Sequence, residues 1–144
     1  MLRARLDVSA ELVRNDSELR RFFRADEIEE IATACAEHRA SFPGKRKSLL
    51  SKIVADADTM DALNYRRILN YYAEKYPNLE VEGRLEKLYH HLKIKHGRKT
   101  GYADFDLVEA AEERREIREE LWRIEDDYEE FKRVILEKYG EYLG

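Results

Sequence analysis

The sequence predicts an all-α protein, a helical region followed by a long C-terminal helix. Three observations carry that prediction. Glu, Arg, Lys, Leu and Ala dominate a chain of 144 residues with only two prolines, and these residue types lose least on entering a helix. Apolar residues recur at three- and four-residue spacing along most of the chain, the mark of one buried helical face. Charged residues make up 40% of the chain, yet 43% of it is hydrophobic, which is enough apolar surface for a core and too much for a disordered chain.

Residues 1–25 show a short helical pattern around Leu6, Val8, Leu12 and Val13, interrupted near Asn15-Asp16-Ser17 and resumed by Leu19, Phe22 and Phe23. Asp26 reads as an N-cap, with Glu29 at the third helical position completing a capping box. Ile28, Ile31, Ala32 and Cys35 then form a regular stripe, so Cys35 reads as a small buried hydrophobe rather than a nucleophile. It is the only cysteine, which excludes an intramolecular disulfide and points to a reducing compartment. His38 lies one step further along the same stripe. Ser41-Phe42-Pro43-Gly44 closes the helix, and Lys45, Arg46 and Lys47 beside it could hold a phosphate but read more simply as a solvated basic loop.

Residues 48–63 organise the rest. Leu49, Leu50, Ile53, Val54, Ala57 and Met60 recur at helical spacing and predict one buried face. Asp56, Asp58 and Asp61 follow at the end of that helix. Carboxylates at the edge of a core are costly unless solvated, hydrogen-bonded or bound to a cation. Two readings fit: the aspartates end one helix and cap the next, or they belong to a site.

The run Glu37-His38-Arg39, a spacer, and S-x-x-x-K-I-V-A-D-A-D-x-M-D-A from Ser48 onward resembles the later part of the HD superfamily of metal-dependent phosphohydrolases. The resemblance covers residues 27–75 and implies an all-helical fold, a divalent metal such as Mn or Mg, and nucleotides or related phosphate esters as substrates. It assigns Asp58 as the last metal ligand and His38 as a further ligand for metal or phosphate. Arg39 and Lys52 in the matching run, with Lys95, Arg98 and Lys99 further on, are the candidate phosphate-binding residues. The match is partial. The chain contains no His-Asp dipeptide and no histidine before His38, so the early ligands of the family are missing. The implied protein is an HD-like partial domain that is inactive alone, or completed by a second chain carrying those ligands.

Beyond the aspartates, Leu63, Ile68, Leu69 and Tyr72 share a face, in a stretch where Tyr65, Tyr71 and Tyr76 add phenols suited to a core edge or interface. Pro77-Asn78 ends that helix. Val81, Leu85, Leu88, Tyr89 and Leu92 carry the next, which Gly97 terminates. His90 and His91 diverge by about 100° on a helix, and His91 and His96 are out of step with a helical metal clasp. Lys93, Lys95, Arg98 and Lys99 make the surroundings a basic, solvated or phosphate-facing loop.

From Asp104 the pattern is that of one very long helix. Ile117, Leu121, Ile124, Tyr128, Phe131 and Ile135 alternate in steps of four and three, a coiled-coil-like seam of about three heptads. A helix over residues 104–139 would span on the order of 50 Å, more than a small domain covers, and this predicts a homo-oligomer. The organisation expected is residues 1–103 as the HD-like region and 104–144 as the long amphipathic helix. The alternative to the HD reading is a non-catalytic structural or regulatory helical module that self-associates through this helix. A net charge of −4 argues against nucleic acid as a partner. The chain has no leader-like segment and no apolar run long enough for a bilayer, so a cytoplasmic protein is expected.

Overall fold

The computed structural model describes residues 2–143, with side chains from residue 8 onward. The expected contribution of Leu6 therefore lies outside the described side chains. Among the described residues the structure is all-α, with nine α-helices and no strand. The helices are α1 (Leu2–Asn15), α2 (Leu19–Phe22), α3 (Ala25–Glu37), α4 (Leu49–Asp61), α5 (Tyr65–Lys75), α6 (Val81–His96), α7 (Val108–Glu113), α8 (Arg115–Ile124) and α9 (Tyr128–Tyr139), followed by a 3₁₀ turn at Gly140–Tyr142. No described helix is long and apolar enough to cross a membrane.

The chain folds as two units. The first holds the described residues up to Thr59 together with Asp104–Ala111. Here α1 packs along α3, and Ala10, Ile28, Ala32 and Ala34 are buried. The three alanines among them are small enough to let helix backbones approach closely. Arg14 of α1 reaches Glu29 of α3 with two nitrogens, at 2.7 and 3.0 Å. Glu29 is thus a partner of α1 rather than part of a capping box. The helix begins one residue before Asp26, and it is Glu27 that accepts the backbone N–H of Arg24, at 2.7 Å. The stripe on α3 holds, although Cys35 is half-buried rather than fully enclosed.

On α4 the burial is reversed from the sequence reading. Ser51, Ala55, Asp56 and Thr59 are buried, whereas Leu49 is 63% and Ile53 48% exposed. The helix has the expected 3.6-residue period, but its small and polar residues face the interior. The reason lies at Asp56, which is 2% exposed and accepts the backbone N–H groups of Asp106 and Leu107, both at 2.8 Å. Holding the approach to α7 in this way needs a carboxylate pointing inward, with small neighbours that let the 106–107 backbone come close.

The second unit comprises Met60–Ala103 and the residues from Glu112 on. It is built by α5, α6, α8 and α9, with Leu63, Leu69, Leu85, Leu88, Leu92, Leu121, Phe131 and Ile135 all at 1% exposure or less. Each such side chain contributes roughly 1.5–3 kcal/mol relative to an exposed one. Asn64 caps α5 by accepting the backbone N–H of Arg67.

The single long C-terminal helix is replaced by three. The chain breaks at Arg114 and again at 125–127. The second break has a clear cause in the run Glu125-Asp126-Asp127. The short side chains of the two aspartates compete with helical hydrogen bonding, and all three carboxylates have partners outside the helix. Glu125 is 3% exposed and accepts the backbone N–H of Arg98 at 2.8 and 3.1 Å. Asp126 pairs with Lys99 at 3.2 Å and Lys93 at 3.5 Å. Asp127 caps α9, accepting from the N–H of Glu130 at 3.1 Å. Once the helix folds back, the four-three stripe is covered by its own unit: Leu121, Ile124, Phe131 and Ile135 are buried, and Tyr89 packs its ring on Tyr128 and Phe131. The length argument for a second chain along this seam therefore falls away.

Candidate functional site

The matching run on α4 forms three parallel rows, because residues four apart stack along a helix. Leu49, Ile53 and Ala57 make an exposed row. Leu50, Val54 and Asp58 make a half-buried row beside it, and Ser51, Ala55 and Thr59 make the buried row beyond. Asp58 closes the middle row. Its carboxylate sits at the border between an exposed apolar strip and the interior.

The three aspartates have different employment. Asp56 is committed to the backbone of residues 106 and 107. Asp61 is tied to Arg67 at 2.5 Å. Asp58 alone of the three makes no hydrogen bond or ion pair among the described residues. It is the carboxylate of the cluster with capacity left for a ligand.

His38 is the C-terminal residue of the α3 turn and is half-buried. Its Nδ1 lies 2.6 Å from the Cys35 carbonyl oxygen, which makes Nδ1 the protonated, donating nitrogen and leaves Nε2 as the acceptor. That tautomer is the one in which Nε2 could serve as a metal or phosphate contact. Among the described residues no three His, Cys, Asp or Glu side chains converge in a way that could hold a metal ion.

The candidate phosphate-binding residues divide between the units. Arg39 and Lys52, both half-buried, belong with His38 and Asp58 in the first. Lys95, Arg98 and Lys99 belong to the second. There, Arg98 gives its backbone N–H to Glu125, and Lys99 pairs with Asp126. Arg98 and Lys99 thus serve the α8–α9 corner, while the Lys95 carbonyl accepts the backbone N–H of Ala103 at 2.8 Å.

Two residues have roles that differ from their sequence reading. Arg46, read as part of a solvated loop, is only 10% exposed in its side chain. Its guanidinium donates to the carbonyls of Glu37 and Arg39, at 2.6 and 2.5 Å, and to the carboxylate of Asp106 at 2.9 Å. It closes the C-terminus of α3, where free carbonyls carry partial negative charge, and so fixes the backbone beside His38. No local pattern marks it, because a clamp of this kind depends on long-range partners. His96, read as part of a solvated loop, is 1% exposed with both ring nitrogens unpaired. Burial, reinforced by Lys95, Arg118 and His91, lowers its pKa to about 3. The signal for its burial was present: His96 continues the row of Leu85, Leu88 and Leu92 by one turn.

No family model matches the chain, and neither a curated protein nor a solved structure is significantly similar to it.

Proposed function

We propose that this chain is an HD-type helical protein that keeps the Asp58 and His38 side of a phosphohydrolase site and is inactive alone, its remaining ligands coming from another chain. The observation that carries the reading is the employment of the aspartates. Two of three are spent on structure, while Asp58 stands uncommitted at the edge of an exposed apolar row. That row supports the second-chain element of the reading. Leu49, Ile53 and Ala57 present apolar surface one row away from Asp58, where a docking helix would bring new side chains up to the carboxylate. A phosphate ester or nucleotide is the substrate class implied, with Arg39 and Lys52 in the same unit as its anion contacts.

The test has two parts. The purified chain is assayed with Mn²⁺ for phosphate release from nucleotides, and no release above background is expected. The chain is then recovered with its bound partners from its native cells. A co-purifying chain with an early histidine and a His-Asp pair should restore hydrolysis, and Asp58→Ala should abolish it. Robust hydrolysis by the isolated chain, or a restored activity indifferent to Asp58→Ala, overturns the proposal.

The second reading, a non-catalytic structural or regulatory module, is favoured by the same pair of structural aspartates. If Asp56 and Asp61 are caps and ion-pair partners, the motif can persist for folding alone. The two readings part on Asp58→Ala, which a purely structural module tolerates without functional change.

A further inference from the structure

In α4 the usual arrangement of a surface helix is inverted. Its inner face carries Ser51, Asp56 and Thr59, while Leu49, Ile53 and Ala57 point outward, with Leu50 and Val54 half-buried beside them. Single exposed apolar side chains are ordinary, but a contiguous group on one helix face is a patch of the kind that marks an interface. The patch lies wholly within the first unit.

The two ends of this face carry opposite charge. At the N-terminal end Lys45 and Lys47 are exposed on either side of the inward-turned Arg46, and their side chains make no hydrogen bond or ion pair among the described residues. Lys47 immediately precedes Ser48, whose hydroxyl accepts the N–H of Ser51 at 3.0 Å and so starts α4. At the other end Asp58 is likewise uncommitted. Lys47 and Asp58 are about three helical turns apart, which places them on the same flank of the row. The row is also graded in size. Leu49 and Ala57 stand one turn on either side of Ile53, one bulky and the other small.

We propose that a second copy of this chain covers this face, its α4 running antiparallel about a two-fold axis beside Ile53. Ile53 then meets the partner's Ile53, and Leu49 fills the space over the partner's Ala57, bulky against small. Lys47 reaches the partner's Asp58, and symmetry forms that ion pair twice, once at each end. A parallel pairing would set lysine beside lysine and aspartate beside aspartate. An unrelated partner has to match both the charge polarity and the size gradient, whereas a second copy matches them by symmetry. With 13 residues, α4 is about 20 Å long, so a helix-on-helix contact stays below the roughly 1,200 Å² at which stable interfaces begin. The dimer is therefore weak, with a Kd on the order of 10–500 µM, and the dilute chain is a monomer with the row bare. The dimer does not rest on the phosphohydrolase reading. It occupies the face that a heterologous docking chain would need, so the two exclude each other.

The test is sedimentation equilibrium of the full chain from about 5 to 500 µM, at low salt and at about 0.5 M salt. A monomer at the dilute end, a reversible dimer at the concentrated end and weaker association in salt are expected. Ile53→Asp should remove the dimer. Lys47→Glu and Asp58→Lys each turn two attractions into two repulsions, and each should weaken association about tenfold or more. An equimolar mixture of those two variants should associate as tightly as wild type, because the mixed dimer pairs the introduced glutamate with the introduced lysine and keeps one native pair. Circular dichroism of each variant at the dilute end should match wild type, since none of the three side chains makes a bond within the described residues. A monomer at about 500 µM overturns the proposal and leaves the row to a different chain. A dimer that survives Ile53→Asp, or a mixture no tighter than either variant alone, overturns it as well. None of these readouts involves phosphate release, so the phosphohydrolase reading stands or falls separately.

Discussion

The carboxylate of Asp56 accepts the backbone N–H of Leu107 at 2.8 Å, fifty-one residues away in sequence, and the adjacent N–H of Asp106 at the same distance. One buried side chain thereby fixes the loop that enters α7. Arg46, bonded to the Asp106 carboxylate and to the end of α3, ties the same loop to the helix that ends at His38. The D-A-D run therefore contains a structural aspartate and an uncommitted one, two residues apart.

Asp56→Ala should accordingly destabilise the protein by about 2–4 kcal/mol, since it strands two backbone donors that bond a buried carboxylate. Asp58→Ala should cost no more than about 0.5 kcal/mol, as expected for a side chain making no bonds. Urea unfolding of the two variants measures the contrast. Equal losses would show that Asp58 carries structural bonds too.

How much of this was legible in the sequence depended on the range of the interaction. The helices of the middle of the chain were readable because their signals are local: Pro77-Asn78 as a stop, Leu85, Leu88 and Leu92 as a stripe, Gly97 as a second stop. The C-terminal helix was misjudged because Glu125, Asp126 and Asp127 look like an ordinary charged helical face. Their break depends on the Arg98 amide, Lys99 and the α9 N-terminus. At the site, helical spacing identified which residues of α4 share a face, but not which face is buried. That choice was made by the loop at residues 106–107, and no pattern within residues 48–63 encodes it.

His96 gives a pH dependence with a definite sign. Its folded pKa, about 3, lies below the unfolded value of about 6.5. The unfolded chain therefore binds a proton that the folded chain refuses. Stability from this group is intact above about pH 6.5 and is lost as pH falls from there toward 3, the loss reaching a few kcal/mol, about 5 at most, at the acid end. His96→Leu should flatten that part of the profile and raise stability at about pH 5, because leucine continues the apolar row. Chemical denaturation across the pH range tests this. An unchanged acid slope in His96→Leu would assign it to other groups.

Gly97 is where α6 stops and the corner of α8 and α9 comes in. A Cβ there would collide with the Lys93 carbonyl oxygen and lie 2.7 Å from the Glu125 carboxylate. Gly97→Ala should cost about 1–3 kcal/mol through overpacking, and it should disturb the bonds from Arg98 to Glu125. A Tm equal to wild type would mean that the corner relaxes freely.

The reversed burial of α4 yields the sharpest contrast. If the exposed row is surface in the isolated chain, Ile53→Asp should change stability little, within about 0.5 kcal/mol. Ala55→Asp, two residues on, would bury an unpaired carboxylate in the row beside Thr59 and should cost more than about 3 kcal/mol. The apolar periodicity of residues 48–63 predicts the opposite ranking, with Ile53 in the core. The same pair bears on assembly. Ile53→Asp should leave the isolated chain folded yet remove any chain that docks on the Leu49, Ile53 and Ala57 row, read by sedimentation of the complex recovered from cells. A folded Ile53→Asp variant that still holds its partner would place the interface elsewhere, and with it the source of any ligands meant to meet Asp58.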